Sequence, residues 1–410
     1  MFKHFYYNLW QGKGVIMKKI VILLLLAGLV LGNLACDKEI IIDDPLTENG
    51  EEGTDDPGVS YTLTPEEIAK RNQQNYMSGG GFFAVVDGRV FYVIYPTDGK
   101  KNTEKLIEVT ADGDSIIIDK QNYIDIYVDG DILHILTTIE GKNDDLLCHE
   151  YSYDLKTNEL QEIKSPVKDY QYLKMTGSER FYLEYAKGSK ENIYANGKKL
   201  LSAKYGFDTV YVTADSIYYV DSSAENYGLN RYDLETAKSE LILPIKSEIL
   251  EIIYGYYIRS VNISYLMMED DYIVYIKGEN KIVVDDDDMD EEERYAALAC
   301  RQLSNPAGDE VLLTAMVKLG EDDDTLNVGY TVANGKVYYY DEKGLRQYDL
   351  KTKTDLQLLM FDDGKTPFFY IAGVNIGMDG TVYLDTSGGL YKMDQSGNNL
   401  QEVYHHSYAK

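Results

Sequence analysis

From Phe82 onward the chain is a succession of short aliphatic and aromatic runs separated by turns rich in Asp, Asn and Gly, and the succession repeats. Each unit reads as a short apolar strand, a tight turn, and a strand of the form Val/Ile-Tyr-Tyr. A variable loop, a strand ending Tyr-Asp-Leu, a second tight turn and a last apolar strand complete it. The central position of the second strand falls at Phe91, Leu133, Phe181, Tyr218, Val274, Tyr338 and Tyr383, so successive centres lie 37 to 64 residues apart. Runs this short cannot bury both faces alone. Four strands per unit at a period of 40–50 predict an all-β chain folded as a β-propeller, each sheet packed between its neighbours. The count is seven four-stranded blades over 79–406, with six or eight blades, or a two-sheet sandwich, as the alternatives.

Turn chemistry supports the ring. Asp87-Gly88, Asp129-Gly130, Asn334-Gly335 and Asp379-Gly380 all precede a second strand, where a two-residue type I′ hairpin needs positive φ at both central positions. Tyr153-Asp154-Leu155-Lys156-Thr157, Tyr232-Asp233-Leu234-Glu235-Thr236 and Tyr348-Asp349-Leu350-Lys351-Thr352 close third strands in one pattern. Blades one (Phe82 to Ile118) and seven (Val374 to Val403) each contain their four strands, so no strand is borrowed across the closure.

Ile217-Tyr218-Tyr219-Val220-Asp221 and Val337-Tyr338-Tyr339-Tyr340-Asp341, each with Leu and Tyr-Asp-Leu downstream, resemble the YWTD-type repeats of low-density-lipoprotein-receptor propellers and of a related group of bacterial lipoproteins of unknown function. The resemblance covers 82–404 and implies a fold; its motif is structural and specifies no ligand.

Blade five departs from the pattern. After the hairpin Ile273–Ile276 and Lys281–Val284, Asp285 to Glu293 carries eight acids in nine residues. Glu291 to Leu303 then reads as a short helical insert, with acids at its start, Ala296, Ala297 and Ala299 inside, and Asn305-Pro306 as a stop, a strand being the alternative.

The first 78 residues have a different character. Met17-Lys18-Lys19 opens a basic region, Ile20 to Gly32 is apolar, and Leu34-Ala35-Cys36 places a small residue before a cysteine. This resembles the lipoprotein signal of bacteria, in which the cysteine is diacylated. Residues 1–36 are therefore read as a signal peptide, with Met17 a second candidate start and Cys36 the lipidation site, ordinary secretion with cleavage nearby being the alternative. The apolar run is too short to span about 30 Å of hydrocarbon. Residues 37–78 carry 11 acids against 3 bases, with Asp-Asp-Pro twice, and read as an acidic flexible linker. Thr64-Pro65-Glu66-Glu67-Ile68 has an N-cap, a Pro at the first helical position and acids in the first turn, predicting a short helix leading into the fold.

Charge narrows the partners. With 40 Lys+Arg against 69 Asp+Glu the net charge is −29, which repels phosphate and excludes nucleic acid as a partner. Contact with a membrane is expected through the lipid anchor only, and the chain is expected to be a monomer. Of three cysteines, Cys148 and Cys300 fall in blades two and five and are too distant to bridge.

The longest connection between blades, Ile245 to Asn262, carries Tyr254, Tyr256, Tyr257 and Arg259. Tyr with Arg in an exposed loop is the composition of an interaction hot spot, so these four are the candidate ligand-binding residues. An extra strand pair packed on the ring is the structural alternative. Pro367-Phe368-Phe369-Tyr370 is a lesser candidate, read as the lead into the blade-seven inner strand. The acidic runs at 285–293 and 321–324 lack the central Gly and alternate spacing of a calcium loop, and read as solvated loops. His134 and His149, placed opposite each other across blade two, lack a third metal ligand. No nucleophile elbow, phosphate loop or sialidase-type box is present, so no catalytic residue, metal or cofactor is assigned.

The reading is a lipid-anchored, extracytoplasmic propeller at a bacterial cell membrane, a non-catalytic binding module for an extracellular protein or glycan. One alternative is a propeller enzyme, a glycoside hydrolase or lyase with acids converging on the central channel. Another is a scaffold of envelope assembly, similar in role to TolB-like propellers.

Overall fold

A computed structural model describes residues 63–405 apart from short stretches at 95–103, 111–112, 122, 141–145, 165–168, 177–178, 222–226, 246, 253–254, 286–290, 306–307, 320–328, 342, 362–363 and 365. Seven antiparallel sheets follow one another in sequence order, six of them four-stranded meanders; in the fifth both Val311–Leu312 and Val317–Lys318 pair with Glu291–Gln302. Their innermost strands are Phe83–Val86, Ile124–Asp129, Tyr170–Thr176, Phe207–Val212, the second half of Gly255–Glu269, Gly329–Ala333 and Ile371–Ile376. Blade one ends on Ser115–Gln121 and blade seven on Gln401–His405, so each is completed by its own contiguous sequence. The ring closes by side-chain packing. Phe83, Val85, Tyr92 and Ile107 of blade one cluster with Tyr383 and Leu390 of blade seven, and Tyr92 donates to Asp385 Oδ1 at 2.5 Å.

The recurring turns have identifiable causes. Asp87-Gly88 (φ 48° and 77°) and Asn334-Gly335 (53° and 73°) place two left-handed residues in succession, as the type I′ hairpin requires. The other two predicted members differ. In blade two Asp129 still pairs with Ile132, so the turn is Gly130-Asp131, with positive φ at its Gly alone. In blade seven Gly380 N donates to Gly377 O, and Gly380 (φ 85°) ends a three-residue loop. The Tyr-Asp-Leu turns are alike in all three copies. Asp154, Asp233 and Asp349 each accept from the backbone N–H three residues on, at 3.0, 2.7 and 2.7 Å, and the fifth residue, Asn158, Ala237 or Lys353, is left-handed. The Leu N–H then bonds the neighbouring first-to-second turn at 2.8–3.0 Å. These backbone donors hold the Asp154 and Asp233 carboxyls below the usual range.

Blade five corrects three expectations: first, Ile273–Ile276 and Lys281–Val284 are not the two arms of a hairpin but parts of one strand, Tyr272–Asp285. Glu291–Gln302 is not a helical insert but a strand, paired along its length with Tyr272–Asp285 from Tyr272↔Gln302 to Val283↔Glu291. An open strand edge outweighs the modest helix preference of Ala, and Ala296 to Cys300 are all buried. The connection after blade four is likewise not an irregular loop. Ser247–Ile252 pairs with the start of Gly255–Glu269, so the sheet runs eight residues beyond the segment 263–269 that lines the ring.

The one helix described, Pro65–Gly79, lies inside the ring. Thr64 and Glu67 form a reciprocal capping box, Pro65 opens the first turn, and Gly80 (φ 59°) closes the last. Residues 65–78 are thus the first element of the fold rather than the end of a linker. Among the described residues no helix is long and apolar enough to cross a membrane.

Candidate functional site

The helix fills the central channel. Arg71, Asn72, Gln73, Gln74 and Asn75 are five consecutive polar residues, all buried, an arrangement that is stable only where the channel wall supplies partners. For Arg71, Gln74 and Asn75 it does so from blades five, six and seven. Arg71 donates to Gly377 O (3.2 Å) and Asn334 Oδ1 (2.8 Å), the first-to-second turns of blades seven and six. Gln74 donates to Met268 O (2.9 Å) and Glu269 Oε2 (3.1 Å) in blade five. Tyr76 donates to Asp125 Oδ2 (2.6 Å) in blade two. Near the helix start, Lys174 of blade three pairs with Glu66 at 2.6 Å and Lys70 with Glu269 at 2.7 Å.

These contacts orient the two rims. The helix begins at the rim of the tight first-to-second turns and runs down the channel; Gly80 and Gly81 reverse the chain into blade one. Gly81 (φ 74°) lies so close to Asp125 that a Cβ would collide with its carboxylate.

Burial governs the channel carboxylates. It would raise Glu269, but the Lys70 ammonium and the hydrogen bonds from Gly335 N and Gln74 outweigh it and hold this carboxyl below its usual range. Asp125 is pushed up to about 7 by burial, its bond from Tyr76 opposing the shift and nearby Glu104 adding to it. Glu104, which accepts from Ile124 N at 2.6 Å, is also raised to about 7 by burial. Both are committed to backbone and tyrosine donors within the wall.

The histidines of blade two are not brought together. His134 pairs with Ser152 and His149 with Thr137 in the strand register. His134 Nδ1 lies 3.4 Å from buried Glu150 Oε1, with burial and then Arg180 lowering its pKa to about 4. His149 meets Glu162 at the surface. Among the described residues no three His, Cys, Asp or Glu side chains converge as a metal site. Cys148 and Cys300 are unbonded to each other.

Of the predicted binding residues, Tyr254 lies outside the described residues. Tyr256, Tyr257 and Arg259 occupy the projecting half of Gly255–Glu269, opposite Glu251, Leu250 and Glu248 in the register; their side chains lie outside the description. Cys36, the acidic stretch 321–324 and most of the run at 285–293 also lie outside it. This projection leaves the ring at the rim opposite the tight turns.

On that same rim the lesser candidate separates into two parts. Phe368 is buried against Tyr391, with ring centroids 4.9 Å apart, whereas Phe369 is 79% exposed and Tyr370 50%. Phe369 N donates to Ser387 Oγ (3.4 Å) and Ser387 N to Tyr370 O (3.1 Å), so the exposed pair is tied to the second-to-third loop of blade seven. Met360, 46% exposed, lies at the start of this connection.

The assembled architecture is that of known propellers. The chain is similar to the propeller domain of the Trilobed protease from Pyrococcus furiosus, at 14% identity over 70% of this chain and 99% of that one, with a TM-score of 0.34. It is similar to a puromycin-hydrolysing peptidase of Mycobacterium tuberculosis, at 10% identity over 82% of this chain and about half, 54%, of that one (TM-score 0.48). BamB from Moraxella catarrhalis matches at 10% identity over 79% and 83% of the two chains (TM-score 0.38). At these identities and TM-scores nothing is carried over from them to this chain. No protein-family model and no curated protein matches the chain.

Proposed function

We propose that the protein is a non-catalytic binding module, held at the outer face of a bacterial membrane through Cys36, whose loop-rich rim docks an extracellular protein. The observation that carries this reading is Phe369, a large aromatic 79% exposed on the rim from which blade five also projects with the strand positions of Tyr256, Tyr257 and Arg259. Exposed aromatics on a rigid scaffold are typical anchors of protein interfaces. The plugged channel favours binding over catalysis, since Pro65–Gly79 occupies the axis on which a propeller enzyme would converge its carboxylates. A net charge of −29 favours a neutral or basic partner surface.

Two experiments test the reading. Cys36→Ser should move the protein from the membrane fraction to the soluble fraction; unchanged fractionation defeats the anchor. A photo-crosslinking residue at position 369 in intact cells should yield a discrete protein adduct that the same residue at position 88, on the opposite rim, does not. Equal adducts at both positions, or none at 369, contradict docking on the loop-rich rim.

A further inference from the structure

At the tight-turn rim, where the helix enters the channel, a cavity of about 160 Å³ opens between the helix and blades three, four and five. Its lining includes Gln73, 1% exposed. A side-chain amide both donates and accepts, so a ligand able to do the same matches it. Beside it Lys174, 3% exposed, gives one of its three donors to Glu66 Oε1.

The charges define what fits. Lys174 already faces Glu66 and Lys70 already faces Glu269, while Asp270 adds a further negative group at the lip. An anion would meet no uncompensated cation, and a cation would meet two ammonium groups. A hydroxyl can accept from an ammonium or amide N–H and donate to a carboxylate or amide oxygen, so it suits every polar group present. Buried Tyr211 and Met268 supply an apolar wall. A cavity of about 150 Å³ holds one six-membered ring.

We propose that this cavity binds a neutral polyhydroxylated ring, a single sugar residue, at the rim opposite the one that docks protein. The two sites are independent: neither uses a residue of the other.

The test is a titration of the purified protein with neutral hexoses and N-acetylhexosamines, followed by saturation-transfer NMR and calorimetry, with acetate, inorganic phosphate and 1,4-diaminobutane as charged controls. At least one sugar should bind saturably. Gln73→Leu should weaken it tenfold or more, and Ala214→Trp, at an exposed position on the cavity lip, should do the same by obstruction without disturbing the helix. Should Gln73→Leu fail to fold, Ala214→Trp alone decides. Binding of the monosaccharide and of its β-linked oligosaccharide assigns the site to a glycan end; binding of the monosaccharide alone assigns it to a free sugar. The proposal is overturned if no sugar saturates, if acetate, phosphate or the diamine binds and sugars do not, or if Ala214→Trp binds sugar as the unaltered protein does.

Discussion

The side-chain amide of Asn75 bonds the backbone of Ile376 twice, donating from Nδ2 to its carbonyl at 3.0 Å and accepting from its N–H at Oδ1 at 2.8 Å. A helix side chain thereby occupies the place that a neighbouring strand would take on the inner edge of blade seven. Because Gly79 also lies against Asn375 and Phe83, the helix joins blades seven and one where no strand crosses between them.

Asn75→Leu should therefore be costly. It leaves a buried N–H and a buried C=O without partners, and each such group costs about 1–3 kcal/mol. Urea denaturation should show a loss of about 2–6 kcal/mol, larger than that of Asn72→Leu, whose side chain makes no such pair among the described residues. A loss below 1 kcal/mol would mean that the helix does not hold the seam.

Gly81 and Gly88 both have positive φ, 74° and 77°, but differ in surroundings. A Cβ on Gly88 meets nothing within 4 Å, whereas one on Gly81 collides with Asp125. Gly88→Ala should cost only the backbone penalty of about 1 kcal/mol, and Gly81→Ala clearly more. Thermal melts of the two variants should differ by several degrees.

Burial raises Asp125 and Glu104 to about 7 and Asp385 to about 6, each above the range of an unfolded carboxyl near 4. Between pH 4 and 7 the native state thus binds more protons than the unfolded state, and these groups make stability fall as pH rises, by up to about 1.4 kcal/mol per pH unit for each proton. Asp154 and Asp233, lowered by backbone donors, act in the other direction and in a separate window, losing stability only as pH drops below about 4. Asp125→Asn keeps an acceptor for Tyr76 and should flatten the slope between pH 4.5 and 7.5. An unchanged slope would show that Asp125 does not titrate in this range.

The ring was legible because its determinants are local. Asp-Gly and Asn-Gly pairs and the Tyr-Asp-Leu turn act within five residues, and their recurrence sets the blade count. Glu291–Gln302 misled because its Ala and acid content is a local signal, while its strand state comes from pairing with Tyr272–Asp285. The helix start was legible from Thr64 and Pro65. Its place in the channel was not, because Arg71, Gln74 and Asn75 find partners 194 to 306 residues away, and a polar sequence gives no sign of burial until those partners are assembled. Pro367–Tyr370 was visible as an aromatic run; only the bonds through Ser387 determine that Phe368 turns inward and Phe369 outward.

Hydrogen exchange across the closure tests most directly that a polar helix in the channel holds an open ring shut. In the full chain carrying Arg71→Ala, Gln74→Ala and Asn75→Ala together, amides of Phe83–Val86 and Ile371–Ile376 should exchange at least tenfold faster, while those of Phe207–Val212 in blade four keep their protection. Unchanged exchange at both closure strands, or equal acceleration in blade four, would contradict the account.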